Sequence, residues 1–309
     1  MIGQQAAALQ KAFEGRPPAG SRPDRGSGRL PARSGGRVSR CRSIAVSSGK
    51  GGVGKTNLVV NLAVVLASMG VKVLVVDADL GLSNADLMMG LRPRQTVADA
   101  LTGRLSLEEV VMMGPLGVSL LPGASGLSEL ADLHPAQRDQ LIERLGWLEE
   151  RADMVLIDTG AGIGAGVRSF AAAAGELLVV TTPEPTAIAD AYALIKVVRN
   201  QHPDTRFGVV VNQANSRSEA MEAAGKVICV ARRFLGLEVA DWGYLPSDPL
   251  VSQAVMRQIP VVLAYPRSPA ALGLTSLGRK LWQGGPASST QTGGVGWWHG
   301  LKGLGQQGA

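Results

Sequence analysis

Between Ser43 and about Gln283, short apolar runs alternate with longer stretches of helical spacing. The runs predicted as strands are Ser43–Ser47, Val71–Asp77, Val118–Leu121, Met154–Ile157, Leu177–Thr181, Phe207–Val211 and Val239–Tyr244. Helices are predicted between most of them, for example Asn57–Met69, Ala136–Arg151 and Ala187–Gln201. The run Val71-Lys72-Val73-Leu74-Val75-Val76 is apolar almost throughout, as in a strand covered on both faces. Strands that alternate with helices predict an α/β domain: one doubly wound, mostly parallel sheet of about seven to eight strands.

The alternation stops at both ends. Gln4–Phe13 is a short run of helix formers, and Glu14–Arg42 is rich in Arg, Pro, Gly and Ser, a composition that predicts disorder. After Gln283 a Gly/Ser/Thr stretch leads to a last segment, Val295–Leu304. The predicted organisation is a short helix over 1–13, a basic linker over 14–42, the domain over 43–283, and a glycine-rich linker with a tail over 284–309.

With 309 residues, 45% of them hydrophobic, one large domain can bury a sizeable core. Aromatics make up only 4%, so that core must be aliphatic. No apolar run reaches the roughly 18 residues of a membrane-spanning helix, and the first segment lacks a secretory pattern. Cys41 and Cys229 fall in no metal-ligand spacing and read as free thiols in a reducing compartment, so a cytoplasmic location is expected. The net charge of +6 is unevenly placed. Residues 1–42 hold nine Lys/Arg against Glu14 and Asp24, which leaves 22 basic and 23 acidic residues, a net −1, for the rest. A near-neutral body argues against a specific nucleic-acid partner. The basic segment is either a solvated linker or an attraction for acidic lipid or nucleic acid.

The octet Gly49-Lys50-Gly51-Gly52-Val53-Gly54-Lys55-Thr56 satisfies G-x-x-x-x-G-K-[ST], between a predicted strand and a predicted helix. Glycines let backbone N–H groups turn inward around phosphate oxygens, and the helix N-terminus adds its positive end. In such a loop Lys55 is expected to reach the β- and γ-phosphates of a nucleotide, and the Thr56 hydroxyl a Mg2+ ion.

Two strand ends carry carboxylates: Val75-Val76-Asp77-Ala78-Asp79, and Leu156-Ile157-Asp158-Thr159-Gly160. Ligands of open α/β sheets bind beyond the carboxyl ends of the strands. Asp158 fits an acidic group supporting the metal, and Asp79 is placed both to support it and to orient an attacking water. For Asp77 the plainer reading, a cap on the next helix, stands beside the functional one.

Lys50 together with Lys55 in GKGGVGKT resembles the deviant Walker family of MinD and ParA ATPases, over roughly residues 43–280. The stretches Asp77–Leu91, Leu156–Gly164, Thr181–Lys196 and Val251–Val262 resemble the branch of flagellar regulators called FlhG, FleN or YlxH. Ala161-Gly162-Ile163 and Glu184-Pro185-Thr186 are fairly specific to that branch. The resemblance implies a MinD-like P-loop NTPase of the SIMIBI class that binds ATP and Mg2+ and hydrolyses ATP slowly. It implies an ATP-dependent homodimer in which Lys50 crosses into the partner's site, with Lys50, Lys55 and Asp79 catalytic. It also implies that Asn212 and the Leu245-Pro246 loop contact adenine. Flagellar switch or regulatory proteins and the GTPase FlhF are the implied partners, although Gln4 and Gln10 replace the charged ends of the branch's N-terminal D-Q-A-x-x-L-R motif. Positioning of a division site or cargo, or a scaffold that binds nucleotide without hydrolysing it, are the alternatives.

Trp297, Trp298, Leu301 and Leu304 share one helical face, as in an interfacial membrane segment, and the family carries a comparable tail. Gly296, Gly300, Gly303 and Gly305 each cost such a helix roughly 1 kcal/mol, so helix formation would have to be coupled to binding of an acidic membrane surface. The expectation is a protein that is cytoplasmic and peripheral on the inner face of the membrane.

Overall fold

The computed structural model describes residues 41–79, 84–95, 97–101, 104–123, 145–146 and 148–283. The helix expected over residues 1–13, the basic segment before Cys41 and the C-terminal tail lie outside the described residues, as does most of Ala136–Arg151.

The strands are β1 (Arg42–Ser48), β2 (Val73–Ala78), β3 (Met112–Met113), β4 (Ser119–Leu121), β5 (Met154–Ala161), β6 (Glu176–Thr181), β7 (Arg206–Ala214) and β8 (Val239–Pro246). They form one eight-stranded sheet in the order β3-β4-β2-β5-β1-β6-β7-β8. Each pairing is parallel except β3 with β4. The strand β3 is an addition to the sequence reading, because two residues are too few to carry a period. The helices are α1 (Lys55–Ser68), α2 (Ala85–Met88), α3 (Val97–Leu101), α4 (Leu107–Val110), α5 (Ala165–Ala174), α6 (Pro185–Gln201), α7 (Arg217–Leu235), α8 (Pro249–Met256), α9 (Val261–Ala264) and α10 (Pro269–Gln283).

Alternate strand residues feed two cores, one on each face of the sheet. Ala45, Val155 and Ile157 pack with Phe170 of α5, Leu194 of α6 and Val227 of α7. Ile44, Val46 and Leu156 pack with Leu62 of α1 and Leu277 of α10 on the other face. This is the doubly wound arrangement that the near-continuous apolar strands predict.

The helix α1 is covered on all sides: every residue from Leu58 to Leu66 is buried. A Cβ at Gly278 of α10 would lie 2.6 Å from Val65, so the two helices meet at a glycine. Inside α1, Asn61 donates to the Asn57 carbonyl (2.8 Å) and accepts from the Val262 N–H (3.1 Å), so its burial leaves neither amide atom unpaired. The central strand β1 lies between β5 and β6, and the chain leaves it in one direction and returns on the other. Its carboxyl end therefore opens at the switch point of the sheet, where such folds bind ligands.

Candidate nucleotide-binding site

The loop Gly49–Thr56 follows β1 at that switch point. The Ser48 hydroxyl donates to the Lys50 carbonyl (2.6 Å) and starts the turn. A Cβ on Gly49 would lie 2.2 Å from the Asp190 carbonyl oxygen, so only glycine lets the loop pass α6. Gly51 and Gly52 are exposed at the tip, whereas Val53 tucks into the core. Gly54 sits at φ 89°, a left-handed conformation that costs glycine nothing, and it caps α1 without a side chain. The helix begins at Lys55, two residues earlier than the hydrophobic spacing predicts, so Lys55 and Thr56 form its first turn. That turn has neither a side-chain cap nor an acidic residue, which leaves its N–H groups for an anion.

Lys55 is only 7% exposed. Burial lowers its pKa, while Asp158 and Asp79 nearby favour the charged form. Asp158 is fully buried, and neither carboxylate oxygen has a hydrogen-bond partner of normal geometry. Burial pushes its pKa up to about 7, Asp77 and Asp79 add to the rise, and the Thr56 hydroxyl and Lys55 oppose it. Sequence spacing ends the strand at Ile157, but β5 runs on to Ala161, so Asp158 lies within the strand, paired in register with Asp77.

Asp77 accepts from the Ala85 N–H (3.2 Å) and the Asp79 N–H (3.4 Å). It ties β2 to the start of α2, as the plainer of its two readings has it. Asp79 follows the end of β2, half-buried, and its Oδ1 would lie 3.3 Å from a Cβ on Gly160. The fold thus brings Lys55, Thr56, Asp79 and Asp158 to one point.

Lys50 points elsewhere. Its ammonium pairs with the Glu184 carboxylate of its own chain (2.5 Å) and lies 3.4 Å from the Thr186 hydroxyl. Glu184 and Thr186 flank the first residue of α6. Sequence reading singled them out as a branch signature but gave them no role, because only tertiary structure brings them to Lys50.

Asn212 lies inside β7, with Nδ2 donating to the Val53 carbonyl (2.8 Å) and Oδ1 accepting from the Gln213 N–H (2.9 Å). The strand β8 includes Leu245 and Pro246, which the sequence reading places in a loop. The Leu245 side chain is in the core, and its Cδ2 would lie 3.1 Å from a Cβ on Gly273 in α10.

A buried carboxylate with two unpartnered oxygens beside a threonine hydroxyl suits a small, hard cation. Among the described residues, no group of three His, Cys, Asp or Glu could form an all-protein metal cage. Mg2+ needs no such cage, since it keeps water and substrate phosphates as ligands. Thr56, Asp79 and Asp158 are the residues that would hold it.

This sheet, with a two-lysine phosphate loop at its switch point, defines a P-loop nucleotide-binding protein. A family model described as an AAA domain matches residues 41–207. The chain is 44% identical over 238 residues to the antiactivator FleN of Pseudomonas aeruginosa, covering 77% of this chain and 85% of that one. It is 37% identical over 214 residues to the flagellum site-determining protein YlxH of Helicobacter pylori, covering 69% and 72%. The septum site-determining protein MinD of Pyrococcus horikoshii, solved with Mg-ADP, superposes with a TM-score of 0.64 at 29% identity, covering 78% of this chain and 96% of that one. The chain belongs to the MinD/ParA family of P-loop ATPases, and FleN and YlxH are among its relatives.

Proposed function

We propose that the protein is a slow, Mg2+-dependent ATPase that works as a dimerisation switch and regulates flagellar number and placement. The observation that carries the reading is the division of labour between the two loop lysines. Lys55 is buried beside Asp158 and Asp79, where it can serve the phosphates of its own site. Lys50 is held by an exposed pair, its side chain 42% and that of Glu184 62% accessible. Exposed pairs of this kind contribute about 0.2–1 kcal/mol, so the pair is readily exchanged for a stronger anion. A triphosphate presented by a second subunit is such an anion, and Lys50 would neutralise its charge as arginine fingers do elsewhere.

Within each site, Gly49 to Thr56 bind and orient the phosphates, and Asp79 holds the attacking water. Bound Mg2+ would neutralise phosphate charge. Identity of 44% with FleN and 37% with YlxH favours flagellar control over positioning of a division site. FlhF, flagellar switch or regulatory proteins, and an acidic membrane surface met through the tail after Gln283 complete the proposed setting, at the cytoplasmic face.

The test is assembly. With a slowly hydrolysed ATP analogue the wild type should elute as a dimer. Lys50→Ala should bind the analogue and remain a monomer, since two facing triphosphates would lose their bridging cations. A variant dimer as stable as the wild type would sink the cross-dimer role.

A further inference from the structure

We propose that Asn212 is a positioning residue for the phosphate loop, and that the bulge in β7 exists to aim it there. The proposal rests on the reading of Gly49–Thr56 as the phosphate site. In the pairing of β7 with β8, Val211 faces Tyr244 and Ala214 faces Pro246, so Asn212 and Gln213 together oppose Leu245. Two residues against one make a β-bulge, a device that re-aims a side chain beside a functional site. Gln213 sits at φ 58°, in the left-handed region that a non-glycine residue adopts only at some cost.

That conformation delivers the Gln213 N–H to Asn212 Oδ1 (2.9 Å), leaving Nδ2 facing the Val53 carbonyl (2.8 Å). The amide orientation follows from its neighbours: a flip would set oxygen against oxygen and N–H against N–H. Nδ2 also fills the space a side chain on Gly54 would need, 2.5 Å from where its Cβ would stand. The Val53–Gly54 peptide is planar and trans. Holding its carbonyl toward Asn212 therefore turns the Gly54 N–H the opposite way, to the phosphate side of the loop. The strut thus sets the direction of a donor on which phosphate binding depends, whatever base the nucleotide carries.

A base reader and a loop strut differ in what their loss does to a ligand without a base. We would measure affinities for Mg-ATP, Mg-GTP and inorganic tripolyphosphate, with thermal melts to confirm folding. Asn212→Asp keeps the shape and the acceptor for Gln213 but sets an oxygen against the Val53 carbonyl. It should weaken all three ligands by a similar factor, tenfold or more. Gln213→Val cannot adopt a positive φ cheaply and should reproduce the loss, whereas Gln213→Gly adopts it freely and should not. Loss of ATP affinity with tripolyphosphate affinity intact would overturn the proposal and make Asn212 a base reader. Unchanged affinity for all three ligands in the folded Asn212→Asp protein would also overturn it. A wild-type protein that binds none of the three would overturn the phosphate-site reading itself, and the strut with it.

Discussion

Asp158 shows how a single residue can sit in tension with its own fold. Its pKa rises from 3.8 to about 7, which corresponds to at most about 4 kcal/mol of destabilisation once the group is ionised. The folded pKa is the higher one, so the native state binds more protons between about pH 4 and pH 7. Stability therefore falls as pH rises through that window, and the full cost is present above pH 7. Asp158→Asn should raise the melting temperature of the nucleotide-free protein at pH 8, by an amount that shrinks as pH falls toward 4. The same variant should lose Mg2+-dependent ATP binding; melts across pH and titrations with and without Mg2+ check the two halves. Asp79→Ala should bind ATP and fail to hydrolyse it, because the loop keeps the phosphates while the water loses its acceptor. Phosphate release at the wild-type rate would remove Asp79 from the mechanism. Both aspartates were legible in the sequence as acids after apolar strands. The perturbation of Asp158 was not, since its burial and the approach of Asp77 and Thr56 come from elements distant in the sequence.

At the scale of elements, the phosphate loop is a junction. It touches α6 through Gly49 and Asp190 and β7 through Val53 and Asn212, and just before it the Ser48 carbonyl at the end of β1 accepts from the N–H of Gly162, the residue after β5 (2.8 Å). Gly49→Ala should force the loop off α6, since a methyl 2.2 Å from a carbonyl oxygen cannot be accommodated in place. The expected result is a loss of about 1–3 kcal/mol of stability, the usual range for overpacking, and at least a tenfold loss of ATP affinity. Denaturant unfolding and nucleotide titration measure these separately. Element type followed the hydrophobic period closely: each strand drawn from the sequence is present. Boundaries followed it less well, and for local reasons. Helix α1 starts at Lys55 because a glycine cap and helical dihedrals, not an apolar residue, begin it. Strands β5, β7 and β8 run past their apolar stretches because ladder hydrogen bonds continue through polar and bulged residues.

At the scale of the whole molecule, the two ends of the described domain meet. The Arg42 guanidinium donates to Glu176 (2.7 and 3.1 Å) and to the Leu281 carbonyl, joining the start of β1 to the end of α10. Arg42 and Leu281, close to the first and last described residues, thus lie side by side. Among the described residues, no helix is long and apolar enough to cross a membrane. Peripheral binding usually needs two signals, and we propose that the basic run and the apolar tail supply them. In a dimer, two such pairs acting together would raise weak binding by about 10²–10⁴-fold. With ATP, the full chain should therefore sediment with acidic liposomes and not with neutral ones, and a chain ending at Gly285 should not sediment. Equal sedimentation of both chains would leave the basic segment as the anchor, and none in any state would remove the membrane from the mechanism. The class of fold, the phosphate loop and the acids near it are legible in the sequence alone, because period and short-range spacing are local properties of a chain. Tertiary structure alone sets Lys50 against Glu184 and Asn212 against Val53 and takes Asp158 out of solvent. The first two contacts and the Arg42 clamp join residues from 134 to 239 positions apart. No local pattern encodes them; they exist because the sheet order sets β5, β1, β6 and β7 side by side.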